Sequence, residues 1–202
     1  MITKSKLNYL SKRDIHLSKA INKYLIQLPK ADNKYFHSLC KWIIYQQLSG
    51  KAAKTIYERL IRLVGGSKKI RPLIILNLSS RKLRSVGISS SKSTYLKELA
   101  KAFEDNDLKR INFSLLSNDM IVDTLIKIKG IGYWTIDMFL IFTLNREDIL
   151  SVKDAGIKRG IKLLYKLNKE PDELFIKKKS SLWAPYRSIA SLYIWKVADN
   201  GI

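Results

Sequence analysis

The segment Leu125-Ile126-Lys127-Ile128-Lys129-Gly130-Ile131-Gly132-Tyr133-Trp134-Thr135 has the residue types of a phosphate grip. A helical apolar pattern ends, a Gly-hydrophobic-Gly turn reverses the chain, and a second helical pattern starts at once. The glycines permit positive φ and let a ligand come close to the backbone. The first N–H groups of the new helix have no intrahelical acceptor and lie at the positive end of its dipole, so they form an anion site. Ile131 would anchor the turn in the core. A Gly-x-Gly turn alone is as often a plain turn as a ligand site. Lys127 and Lys129 beside it favour phosphate, gripped without reading base sequence. The expected contacts are Lys129, Gly130, Ile131, Gly132 and Thr135.

The rest of the chain supports a polyanionic partner. Its 202 residues include 38 Lys+Arg against 17 Asp+Glu, a formal net charge of +21. The hydrophobic fraction of 46% is that of a globular protein, which excludes a disordered basic tail. From Arg59 through Lys97 there is no acidic residue, but ten basic ones. A second basic stretch runs from Lys153 to Lys179 and includes Lys177-Lys178-Lys179. Both keep an apolar pattern, as folded elements with a basic face do, and such faces bind phosphates by releasing counterions. A single cysteine, Cys40, excludes a disulfide framework, a four-cysteine zinc site and a four-cysteine iron–sulfur cluster. His16 and His37 are too few to suggest a histidine metal site. No apolar run is long enough to span a membrane, and the N-terminus does not resemble a secretory signal.

The elements that must position these residues read as helices, about ten of them, in an all-α fold. Leu17, Ile21, Tyr24, Leu25 and Leu28 share one helical face that Pro29 would end. Further helices follow from Phe36 to Gln47, from Ala52 to Gly65-Gly66, from Arg81 to Val86, and from Ser89 or Ser91 through Phe103. The helix-hairpin-helix spans about 118–143. Ala155 to Leu167 is expected to be helical with Asp154 as its N-cap, and Pro171 and Pro185 to open the last two helices. Leu73-Ile74-Ile75-Leu76 is the one β-like run, and it has no credible partner strand.

Taken together, the hairpin and the segment Val152-Lys153-Asp154-Ala155-Gly156 about twenty residues beyond it resemble the helix-hairpin-helix DNA glycosylases that use an active-site aspartate. The finer resemblance is to the alkylated-base branch, DNA-3-methyladenine glycosylase II. Gln46-Gln47-Leu48-Ser49 with Ala52-Ala53, Leu83 to Ser89 with Lys92 and Tyr95-Leu96, Trp134-Thr135, and Trp183 to Ala190 with Tyr193-Ile194-Trp195 carry it. It covers roughly residues 32 to 200 and implies a two-lobed helical fold with the active site in the cleft between the lobes. One unit over 1–202 is expected, without a separate N-terminal β domain. The resemblance makes Asp154 the catalytic carboxylate, a role compatible with capping a helix. Lys153 departs from the family pattern.

Glycosylases of this superfamily that also cut the backbone carry a lysine where this chain has Trp134, so the resemblance implies a monofunctional enzyme. The target base must leave the stack to be cut. Gln47 takes the wedge position, with Gln46 beside it. Alkylation makes a purine cationic and attracts it to π faces. Trp134 and Trp195 match pocket positions, and Tyr45 and Tyr133 could contribute. Arg84, Lys92 and Arg187 are further phosphate candidates, although a single residue of this kind is more often a plain surface charge. The implied substrate is double-stranded DNA with damaged bases, handled by a monomer in an intracellular, DNA-associated location and away from membranes. No cofactor is required, with room for a monovalent cation on the hairpin's backbone carbonyls. The alternatives are a non-catalytic helix-hairpin-helix module, a glycosylase for another damaged base, and a glycosylase/lyase for oxidised bases. A basic helix-turn-helix regulator would leave Gln46-Gln47 and the Trp183–Trp195 block unexplained.

Overall fold

The computed structural model describes residues 2–28, 31–105 and 108–202. Among them there is no strand. The helices are α1 (Lys4–Arg13), α2 (Ile15–Lys23), α3 (Tyr35–Tyr45), α4 (Gly50–Val64), α5 (Pro72–Asn77) and α6 (Ser80–Ser85). They continue with α7 (Ser90–Asp105), α8 (Asn118–Leu125), α9 (Tyr133–Phe142), α10 (Ala155–Leu164), α11 (Glu173–Ser180) and α12 (Arg187–Asn200). The chain divides into two compact units, one formed by Met1–Ala31 with Leu140–Ile202 and the other by Asp32–Phe139. None of the described helices is long and apolar enough to cross a membrane.

Short polar side chains set most of the helix starts. Ser49, Ser79 and Ser117 accept from backbone N–H groups at the starts of α4, α6 and α8, and Ser89 does so for α7. Gly65 ends α4 in the left-handed region at φ +80°. Four expectations change. The α2 helix stops at Lys23, because Tyr24 turns extended and its hydroxyl donates to the Gly201 carbonyl, leaving Leu25 93% exposed. This tertiary contact overrides the local periodicity, and Pro29 lies outside the described residues. The β-like run is α5, with Pro72 preset at its first turn. Helix α10 ends at Leu164, short of Leu167, and Lys166 follows at φ +53°. Pro171 and Pro185 sit just before the helix caps rather than within the first turns: Asp172 caps α11, and α12 begins after Tyr186.

In the first unit, α2, α10 and α12 enclose a core that includes Leu17, Ile157, Ile161, Trp183, Tyr193 and Ile194. Asp14, 4% exposed, ties this core together. Its Oδ1 accepts from the N–H groups of His16 and Leu17, and its Oδ2 from the Tyr165 hydroxyl and the Trp183 indole. Helices α10 and α12 touch closely at Gly160, where a Cβ would lie 2.2 Å from the Ile194 carbonyl oxygen.

The loop leading towards Asp154 is stapled to the start of α12. Arg187 donates to both oxygens of Asp148, at 2.6 and 2.7 Å. The Ser188 hydroxyl donates to the Arg146 carbonyl at 2.6 Å and accepts from the Ile149 N–H at 2.9 Å. Arg187 is thus paired with Asp148 within the fold. Its hydrogen bonds hold the Asp148 carboxyl below the ordinary value of 3.8. A depressed carboxylate pKa stabilises the fold above the unfolded value, and that contribution is lost as pH falls through the lower folded one. Arg187→Ala is therefore expected to lower Tm at neutral pH by an amount that shrinks below about pH 4. Thermal melts of both proteins across that range check it; a pH-independent difference would contradict it.

Candidate active site and phosphate grip

In the first unit the site is built at the junction of α10 and α12. Asp154 caps α10: its Oδ1 accepts from the Ile157 N–H at 2.8 Å. The same oxygen accepts from the Trp195 indole N–H at 2.7 Å. Two donors on one oxygen fix the carboxylate's rotation, and the helix N-terminus favours its negative charge. Gly156 makes the arrangement sterically possible. A Cβ there would meet Trp195 Cδ1 at 2.7 Å and Asp154 Oδ1 at 3.0 Å. Lys153, the departure next to the aspartate, is exposed, with its ammonium 4.0 Å from Glu173. The Trp195 ring packs on Phe142 with centroids 5.4 Å apart and planes tilted by 31°. Both rings line a groove of about 540 Å³ with Leu192, Asp199 and the segment after α2 that carries Gln27 and Leu28. Phe142 was legible in the sequence only as an apolar residue of α9.

In the second unit, α8 ends, the turn follows, and α9 starts at Tyr133, all within 118–143. The two glycines differ. Gly130 stands at φ +93°, and a Cβ would lie 2.1 Å from Tyr95 Cγ, so no side chain fits. Gly132 has no positive φ, and a Cβ there would meet nothing within 4 Å, so its backbone is open to an approaching group. Ile131 is buried and anchors the turn, while Lys129 is exposed. Thr135 is corrected as a phosphate contact: it is 1% exposed, and its hydroxyl accepts from Gln46 Nε2 at 2.8 Å. Gln46 Nε2 also donates to the Gly130 carbonyl at 2.8 Å. With both amide hydrogens engaged, Gln46 is a strut for the hairpin rather than a wedge. The Ile128 carbonyl accepts from the Ile131 N–H, so a monovalent cation would share hairpin carbonyls with these donors.

Gln47 is exposed and stands at φ +56°, on the turn between α3 and α4. Leu48, also exposed, follows it. Lys92, expected at phosphate, instead donates to the Ile44 carbonyl at 2.7 Å and the Gln46 carbonyl at 2.6 Å, and burial lowers its pKa. Arg84 is exposed. Trp134 is half-buried and packs edge-on against Trp42, centroids 6.3 Å apart. Tyr45 also packs on Trp42, and the Lys41 ammonium sits over the rings of both, 5.5 and 4.8 Å from their centroids. Tyr133 is 68% exposed. Among the described residues no group of three His, Cys, Asp or Glu is gathered to hold a metal ion.

A model of the HhH-GPD superfamily of base excision DNA repair proteins matches residues 40–185. The chain belongs to this superfamily. As an HhH-GPD protein it has its hairpin, its Gln46-Gln47 turn and Asp154 inside the matched region, with Trp195 beyond it. It is similar to DNA-3-methyladenine glycosylase 1 of Schizosaccharomyces pombe, 31% identical over 200 residues that cover 94% of this chain and 88% of the relative. A structure of the S. pombe 3-methyladenine DNA glycosylase in complex with abasic DNA superposes with a TM-score of 0.87 at 30% identity, covering 97% of each chain. The Bacillus halodurans DNA-3-methyladenine glycosidase matches with a TM-score of 0.76 at 35% identity, over 96% of this chain and 89% of the other.

Proposed function

We propose that this HhH-GPD protein is a DNA glycosylase that hydrolyses the N-glycosidic bond of alkylated purines in duplex DNA and leaves an abasic site. The observation that carries the reading is the Asp154 carboxylate, pinned through one oxygen by the Ile157 N–H and the Trp195 indole. The names of its relatives supply the substrate class.

As the base departs, positive charge builds on the deoxyribose. A fixed anion beside the sugar stabilises that charge more in the transition state than in the ground state. The carboxylate also orients a water for attack at the anomeric carbon. An alkylated purine is cationic, so it leaves without a strong acid and is drawn to aromatic faces. Trp195 and Phe142, which line the groove of the first unit, are the aromatic surface offered to it there; Trp134, Tyr133 and Tyr45 are the aromatic candidates of the second unit. Tyr45 is the weakest of these, because Lys41 already covers its ring. Gln47 fills the gap left by the flipped base, and Lys129, Gly130 and Gly132 hold a phosphate, with Ile131 as the turn's anchor. The reaction consumes water and calls for no cofactor. With Trp134 in place of a Schiff-base lysine, the backbone stays intact. Incubation with methylated duplex DNA is then expected to give strand breaks only after alkali, with no adduct trapped by borohydride. Breaks without alkali, together with a trapped adduct, would overturn the monofunctional reading.

Gly156→Ala tests the geometry around the carboxylate. The methyl group forces the indole away from Asp154, and small misplacements at a reacting centre cost up to on the order of a hundredfold. Single-turnover excision is expected to fall at least about tenfold with DNA affinity retained. An unchanged rate would show that the Trp195 contact is dispensable.

A further inference from the structure

Gln47 is the only non-glycine residue with positive φ in the described part of the second unit. Such a backbone is strained and persists only where the surroundings hold it. Helix α3 ends just before it without a glycine cap: Gln46 leaves at φ −50°, ψ 131°. Two side chains hold this turn. Lys92, reaching from α7, places its ammonium on the carbonyls of Ile44 and Gln46, where the negative end of the α3 dipole favours a cation. The Gln46 side chain then reaches from the same turn to the hairpin, donating to the Gly130 carbonyl and to Thr135. Beside Gly130 the Tyr95 ring, also on α7, leaves no room for a Cβ. The chain from Lys92 through the Gln46 main chain and side chain to Gly130 thus joins the exposed Gln47 to the phosphate grip within one unit.

We propose that Lys92 and Gln46 are positioning residues that hold Gln47 in register with the hairpin, so that gripping a phosphate fixes where Gln47 enters the duplex. This inference rests on the glycosylase reading above. It follows from the mechanics of base flipping: a residue that replaces an extruded base must resist the closing stack, and a turn free to relax from the left-handed region would not. The requirement is greatest when the target base has a partner. It is smallest when the partner is missing, because flipping then costs little.

The test compares single-turnover excision of one alkylated purine in two duplexes, paired normally or placed opposite an abasic gap, by wild type, Lys92→Met and Gln46→Leu. Both variants are expected to lose on the order of ten- to a hundredfold on the paired target. On the unpaired target they should stay within a few-fold of wild type. Equal losses on both duplexes, accompanied by a lowered Tm, would mark the residues as merely structural and overturn the proposal. Wild-type rates on both duplexes would overturn it as well. If Lys92→Met does not fold, Gln46→Leu decides, since it leaves the α3 carbonyls and their lysine in place. Failure of wild type on both duplexes would instead overturn the glycosylase reading itself.

Discussion

Asp154→Asn is expected to abolish base excision while leaving DNA binding intact. Asparagine keeps an oxygen that can accept from the Ile157 N–H and the Trp195 indole, so the cap on α10 and the packing of α12 survive. The negative charge is lost, and the second carboxylate oxygen becomes an amide NH2. Removing a preorganised electrostatic partner from a developing charge costs on the order of a hundred- to a thousandfold in rate, and a full negative charge beside an oxocarbenium-like sugar belongs at the upper end. Affinity for alkylated duplex should not fall, because the variant also removes a repulsion towards the phosphates. Single-turnover excision measured beside a gel-shift titration separates the two effects. Excision at the wild-type rate would reduce Asp154 to a helix cap.

The second large effect is on stability. Asp14→Ala removes the acceptor for four donors at the centre of the first unit. Trp183 is 0% exposed, so its indole N–H would be left without its carboxylate acceptor in the interior. A buried donor stranded in this way costs about 1–3 kcal/mol, and loss of the α2 cap adds about 1 kcal/mol. The Tyr165 hydroxyl, half-buried, adds to this. A total of roughly 3 kcal/mol or more is a large part of the usual 5–15 kcal/mol of a domain. Urea unfolding measures it. Asp14→Asn should not rescue, because its amide nitrogen would face the donors now met by Oδ2. A loss below about 1 kcal/mol, or full rescue by asparagine, would contradict this account.

How much of this was legible in the sequence depended on how local the cause was. The serine caps and the glycine end of α4 are written in adjacent residues, and so is the hairpin. The end of α2 was not legible, because Tyr24 leaves the helix for a carbonyl at Gly201, at the other end of the chain. Asp154 read locally as a helix cap and became a catalytic candidate only through the resemblance. The structure shows the cap and adds the indole of Trp195, from a residue far along the chain. The surplus of basic residues hid the roles of two of them. Lys92 and Arg187 looked like phosphate contacts because charge is visible in sequence, whereas partners are not. One serves carbonyls at the end of α3 and the other the Asp148 carboxylate. Gln46 and Gln47 are adjacent and chemically identical; the resemblance put Gln47 at the wedge position, but nothing in the sequence showed that Gln46 would brace the hairpin. Gly156 was legible only as part of the motif around Asp154, and its steric role was not, since the indole it accommodates arrives from α12.

The central claim is that this chain cuts the bond between an alkylated purine and its sugar. Chromatographic identification of what the wild-type protein releases from a duplex carrying 3-methyladenine or 7-methylguanine tests it most directly. The expected product is the free methylated base, released into solution from a strand that remains continuous. Release of no base, or of a modified nucleoside or nucleotide in its place, would contradict it.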